Sequence, residues 1–272
     1  MRLVNRRPGR TTRILLIAAP FILLIAAYMV GSAIRLADNP RDKLLPSIST
    51  MSESMAGMAF KEDPRTGDVL LWSDTLASLW RFGIAMGVSI VIAFGFGIAI
   101  GFLPHANAAL APFLAAFSLI PPIAVLPILF IVAGLDELSK ILLIIIGVAP
   151  VMTRSVAQAA AEIPRELVVK AQTLGANTWQ MILRLVAPQV LPRLLIATRL
   201  SLCPAWIFLI AAEAIASTGG LGYRIFLVRR FLAMDIILPY VLWITLIAFI
   251  MDRLLVALQD RLSPWHRQGL AT

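Results

Sequence analysis

Cysteine and acidic residues are scarce in this sequence, and the usual signatures of nucleotide handling are missing. Of 272 residues, 15 are Asp or Glu, 2 are His and 1 is Cys. The lone Cys203 excludes an internal disulfide, and its apolar neighbours predict a buried thiol. His105 and His266 are far apart in sequence, and no group of His, Cys, Asp and Glu has the spacing of metal ligands. No Gly-x-x-x-x-Gly-Lys-Ser/Thr stretch occurs, so the chain cannot cradle a nucleotide by that route. Gly95, Gly97 and Gly101 do not make a dinucleotide fingerprint, because the spacing is wrong and no strand precedes them. No constellation for catalysis is present and no cofactor is expected, so any energy for work must come from a partner or a gradient. The absence of an internal repeat argues against an inverted-repeat carrier.

What is abundant is apolar surface. Hydrophobic residues make up 60% of the chain and charged residues 14%, which predicts an all-α, polytopic protein of about six helices in a lipid bilayer. The net charge of +9 does not point to nucleic acid: the arginines flank apolar runs, with no basic-aromatic module.

Arginines at 2, 6, 7, 10 and 13 precede the run Ile14 to Ile34, broken only by Pro20. That run is long enough to span, so residues 1–34 read as a cytoplasmic N-terminus and an uncleaved first helix. Residues 35–74 form a polar extracytoplasmic segment divided by Pro40, Pro46 and Pro64, where Met51, Met55 and Met58 share a helical face. A second span starts at Thr75, and its Gly97 and Gly101 give a small face for close helix approach. The third, from Leu110 to Gly134, contains Pro112, Pro121, Pro122 and Pro127. Broken backbone at membrane depth is tolerated where protein or a water-filled cavity covers it, so Pro121 and Pro122 are candidates for a pathway wall, with a plain packing kink as the alternative.

The fourth span runs from Ile141 to about Gln158, the fifth from near Leu191 to Glu213, and the sixth from Ile236 to Leu258, with 263–272 as a tail. Few ionisable residues lie at membrane depth. Arg199, Trp206 and Glu213 on the fifth span join the pathway candidates; Glu213 reads either as a gate or relay, or as an interfacial group paired with a basic residue such as Arg224. Fourteen of the 24 Lys and Arg fall on the segments placed inside or on the inner parts of the spans beside them, which supports cytoplasmic N- and C-termini.

Between the fourth and fifth spans lies a basic, helix-forming insert, centred on residues 160–190, expected to face the cytoplasm. Pro164 suits a first helical position, Glu166 the first turn, and Gly175 the left-handed position that ends the helix. Glu166 and Lys170 are spaced as an i, i+4 pair, while Leu167, Ala171 and Leu174 share a face. Asn177 or Thr178 caps a second segment carrying Trp179, expected to stop at Pro188. The pattern alone leaves open a loop that merely covers the spans.

Ala171, Gly175, Leu185 and Pro188 fall at the spacing of the cytoplasmic loop of ATP-binding-cassette importer permeases, with Val169 and Lys170 in place of its Glu and Ala. Further stretches are LPS at Leu45 to Ser47, TLASLWR at Thr75 to Arg81, PPIAVLP at Pro121 to Pro127, GLDELSK at Gly134 to Lys140, AWIFLIAAE at Ala205 to Glu213, and GGLGY at Gly219 to Tyr223. Together these resemble the permeases of the nitrate, sulfonate, taurine and bicarbonate importer group. The resemblance implies a type I importer fold like that of methionine permeases in a bacterial inner membrane, with residues 75–262 as the permease core. It implies a second permease copy, an ABC ATPase subunit dimer that binds the ATP, and an extracytoplasmic substrate-binding protein. It makes Glu166, Lys170, Ala171, Leu174, Gly175, Ala176 and Trp179 the residues that couple to the ATPase. Two other readings stay open: a gradient-driven carrier or channel, and a membrane scaffold.

Overall fold

The computed structural model describes residues 9–39, 42–64 and 67–263. Arg2, Arg6, Arg7, Pro40, His266 and most of the expected tail lie outside the described residues. Eleven helices follow in order among those described, with no strand beyond one isolated bridge between Glu62 and Val69. Five are long and apolar enough to cross a membrane, or six if one bent pair counts as a single span.

The chain divides into two compact units. The first holds α1 (Arg10–Asp38) and α2 (Ile48–Phe60), together with Val228–Val241. α1 is apolar on every face and exposes Ile14, Phe21, Leu24 and Ile34, the signature of a helix solvated by lipid. It is tied to the turn after it: the Tyr28 hydroxyl donates to the Pro46 carbonyl at 2.7 Å and Ser32 to that of Leu45 at 3.0 Å. Arg35 pairs with Asp42, and the guanidinium's hydrogen bond holds that carboxyl below its ordinary range. Ser47 caps α2 by accepting from the Thr50 amide at 3.1 Å. Ser54 reaches Asp235 at 2.6 Å.

The second unit is Leu70–Leu227 with Leu242–Thr272. It contains α3 (Leu70–Phe102), α4 (Pro104–Phe117), α5 (Pro122–Ala133), α6 (Glu137–Ala161), α7 (Arg165–Thr173), α8 (Thr178–Met181), α9 (Ala187–Ala216) and α10 (Leu221–Arg229). It also holds most of α11 (Met234–Leu262). Its centre is α6, packed between α3 and α9. The expected small face is what lets α3 approach: a Cβ at Gly97 would lie 2.6 Å from Val156, and one at Gly101 2.6 Å from Ala160. Several buried hydroxyls leave the helices uninterrupted because they bond their own preceding turn: Ser89 to Ala85, Thr153 to Ala149, Thr198 to Leu194.

Two expectations need correction. The second loop segment does not stop at Pro188. A π turn over Ile182–Val186 joins α8 to α9, so the helix runs unbroken from Thr178 to Ala216. Widening the helix just before the proline relieves the clash of its ring with the preceding turn. At ~1.5 Å per residue the 39-residue rod is ~58 Å long, well beyond a ~30 Å hydrocarbon core, so part of it projects into water. Cys203 is exposed rather than buried, because the buried face of α9 passes through Leu202, Ala205 and Trp206 instead.

Candidate functional site

Three places in the second unit carry polar chemistry, and the loop after α6 is the most exposed of them. Pro164 is the residue before α7 rather than its first, and Glu166 occupies the first turn. Gly175 has φ +79°, the left-handed conformation that closes the helix without a Cβ penalty. Asn177 then forms a capping box with Gln180, each accepting from the other's backbone amide at 2.8 and 2.9 Å. Both helix ends are therefore satisfied locally, while the apolar side chains are not. Leu174 is 87% exposed and Trp179 67% exposed; Leu167 and Val169 are exposed as well, and Ala171 and Ala176 are half-buried. Glu166 and Lys170 are both exposed, and among the ion pairs of the described residues none joins them.

The second place is a buried charge network where α3, α6, α9 and the glycine loop before α10 meet. Glu213 is fully buried, and its carboxylate accepts from Arg81 Nη1 at 2.6 Å, Ser78 Oγ at 2.8 Å and the Gly222 amide at 2.8 Å. Arg81 also donates to the Gly219 carbonyl at 2.8 Å and grips Glu137 through Nε and Nη2. Lys140 reaches the same Glu137 at 3.0 Å.

Glu213 is not paired with Arg224, as the sequence suggested. Arg224 instead holds Asp74 at 2.8 Å, and Asp74 in turn accepts from the Gly220 amide at 2.9 Å. Ser78 accepts from the Leu221 amide at 2.8 Å, so three successive amides at the start of α10 all find oxygen partners. Gly220 has φ +129°, and a Cβ there would lie 2.6 Å from the Glu213 carboxyl. Three carboxylates and three cations share the network, which leaves it neutral and saturated. Asp74, Ser78 and Glu137 were missed from sequence. The signal was present: Asp74, Ser78 and Arg81 are spaced four and three apart, one face of a helix in an otherwise apolar run.

The third place is the break between α4 and α5, which meet at 96°. Two prolines explain it. Pro121 biases Ile120 away from helical backbone, and Pro122 opens α5 without an amide to offer. Beside the break lies a cavity of about 380 Å³ lined by Ser118, Pro122, Ser155, Ser201, Pro204 and Phe208, among others.

Of the pathway candidates, Pro122 lines this cavity, while Pro121 caps α5 next to it. Glu213 belongs to the charge network. Arg199 forms a two-pronged pair with Asp252 of α11 at 2.8 and 3.2 Å. Trp206 stacks on Phe82 at 4.8 Å, with its Nε1 buried and without a hydrogen-bond partner. The structure thus brings Pro122 together with one face of α9, and places Trp206 and Glu213 on the other.

Comparison with known proteins returns one consistent picture. The family described as binding-protein-dependent transport system inner membrane component matches residues 91–267. The taurine transport system permease protein TauC of Escherichia coli K12 is 36% identical over 199 residues, 73% of this chain and 72% of that one. The putative aliphatic sulfonates transport permease protein SsuC of Bacillus subtilis is 27% identical, over 77% of this chain and 75% of its own. Among solved structures, a chain of the MetNI methionine ABC transporter in an inward-facing conformation superposes with a TM-score of 0.53. It has 23% identity and covers 70% of this chain and 94% of that one. This last likeness concerns the fold.

Proposed function

This chain belongs to the binding-protein-dependent transport system inner membrane components and is a multi-pass permease of an ABC importer, and from that premise we propose how it works. Two copies form the translocation pathway for a small anionic solute of the sulfonate kind, the chemistry named for the taurine and aliphatic-sulfonate relatives. α7 is the coupling helix, docked on a separate ATPase subunit that holds the ATP. An extracytoplasmic binding protein delivers the solute, and both termini lie in the cytoplasm.

One observation carries this reading. The element from α7 to α8 has every mark of a rigid, pre-formed surface, yet it leaves Leu174 and Trp179 in solvent. Burying one such side chain contributes roughly 1.5–3 kcal/mol, so a cleft that takes both gains enough to hold the helix through a stroke. The mechanical connection is direct, because α8 continues through the π turn into α9. A push on Trp179 is therefore a push on the wall that carries Ser201, Pro204 and Phe208. ATP drives transport in this arrangement if its bound ATPase dimer favours one of two permease states.

The gradient-driven reading calls for a charge pair inside the spans, and Arg81 with Glu213 is one. That pair is held from every side by serine, amide and carbonyl groups, which suits a fixed brace better than a proton relay.

Leu174→Glu tests the coupling assignment without disturbing a packed residue. The variant should reach the membrane at normal levels, lose copurification with the ATPase subunit, and lose ATP-dependent uptake. Unchanged uptake with unchanged copurification would refute it, as would labelling of a cysteine introduced at Gln172 from the outer side of intact cells.

A further inference from the structure

Arg154 differs from three other arginines of the second unit. Arg81, Arg199 and Arg224 each pair with a carboxylate. Among the described residues Arg154 has none, and its recorded contact is Nη1 donating to Ser118 Oγ at 3.2 Å. It is exposed on α6, two turns before the end of a segment apolar enough to span, where a cation either faces a water-filled space or extends to the membrane surface.

Such a space is present. Arg154, Ser155, Asn107 and Gln158 line a cavity of about 490 Å³, and Ser155 also lines the 380 Å³ cavity at the α4–α5 break, as does Ser118. Ser155 therefore lies on both cavities, with Arg154 on the wall of one and Ser118 on the wall of the other. Ser118 ends α4, and its hydroxyl donates back to Ala115 at 3.0 Å. That leaves its oxygen to accept from Arg154 and leaves the remaining guanidinium N–H groups unspent. A guanidinium with spare, forked donors matches a tetrahedral oxyanion. The nearest acidic side chain along α6, Glu162, is two turns further on and is engaged by Gln158 at 2.9 Å.

We infer that Arg154, with Ser118 and Ser155, forms a transient station for a soluble oxyanion, a sulfonate or sulfate group, where the pathway passes the broken helix. The inference rests on the permease reading above and adds to it a place where the membrane subunit itself contacts the solute. A single cation without a buried cage gives weak, fast-exchanging binding, which suits a step that must release its cargo.

An anionic lipid headgroup has the same chemistry. An apolar cavity of about 300 Å³, lined by Ile92, Phe96, Phe113 and Leu114, lies alongside and could take an acyl chain. The experiment must separate the two sources.

Cys203 is the chain's only cysteine, so Ser155→Cys in a Cys203→Ser background gives one reporter. The whole transporter, with its ATPase subunits, is placed in phosphatidylcholine vesicles. Modification is timed with the anionic methanethiosulfonate ethylsulfonate and the cationic methanethiosulfonate ethyltrimethylammonium. The anionic-to-cationic rate ratio should fall at least fivefold on Arg154→Gln and recover on Arg154→Lys. Methanesulfonate should slow modification when Arg154 is present and have no effect in Arg154→Gln.

A ratio indifferent to Arg154→Gln overturns the station. So does protection by phosphatidylglycerol in the vesicles without protection by methanesulfonate, which would make it a lipid site. With the native Ser155 and Cys203, Arg154→Gln alone should lower sulfonate uptake at least tenfold while ATP hydrolysis stimulated by the binding protein stays within twofold. Equal uptake by the two proteins removes the station and leaves the permease reading standing, whereas a wild-type protein without ATP-dependent uptake removes the permease reading itself.

Discussion

Removing Glu213 from the charge network tests whether the glycine loop is held by electrostatics or merely rests there. In Glu213→Ala, Arg81 keeps Glu137 and the Gly219 carbonyl but loses its buried partner, while the Ser78 hydroxyl and the Gly222 amide lose their acceptor. Breaking a buried ion pair from one side costs roughly 3–5 kcal/mol, because the other charge stays behind in low dielectric. Each orphaned neutral donor would add about 1–3 kcal/mol if the loop could not move.

Glu213→Gln keeps the shape and an acceptor for two of the three donors, so about 1.5–3 kcal/mol is expected, the worth of a hydrogen bond to a charged group. Arg81→Ala should cost as much as Glu213→Ala, since it strands Glu213 at zero exposure. The double variant removes both buried charges and leaves Glu137 with Lys140, so it should cost no more than either single change. The coupling energy is then at least ~2 kcal/mol. Dodecyl sulfate unfolding in mixed micelles, followed by circular dichroism, reads this. Single variants that each cost under ~1 kcal/mol, or a double variant equal to the sum of the singles, would refute the account.

Two further outcomes follow from packing and exposure. Gly101→Leu should destabilise the protein by at least ~2 kcal/mol, since the first added carbon already meets Ala160, whereas Gly83→Ala, with open space around it, should leave the same unfolding midpoint unchanged. Arg199→Ala should cost less than ~1 kcal/mol in that assay and lower uptake less than twofold, because its pair with Asp252 is about one-third exposed and lies off the cavity.

Local rules are legible in the chain without a structure, and they placed much of this molecule. Helical spacing, a glycine at the left-handed position and a capping residue at 177 or 178 placed the ends of α7 and the start of α8 to within a residue. Apolar run length located the spans, and the proline pair located the broken one. Each of these depends on residues within a few positions of one another. Pro188 was misjudged for a related reason: whether a proline stops a helix or bends it through a π turn depends on what packs around the preceding turn.

The apolar runs and the capped loop were settled by sequence alone, because solvation by lipid and backbone geometry act locally. Which charge meets which was decided only by the fold. Ser78 and Glu213 are 135 residues apart, and Asp74 and Arg224 are 150; in sequence each is one polar residue in a greasy stretch. The stretches around Arg81, Glu137, Glu213 and Gly220 converge because α3, α6 and α9 pack against one another. Their charges are tolerated there because that packing supplies every one of them with a counter-charge, which no local pattern can specify.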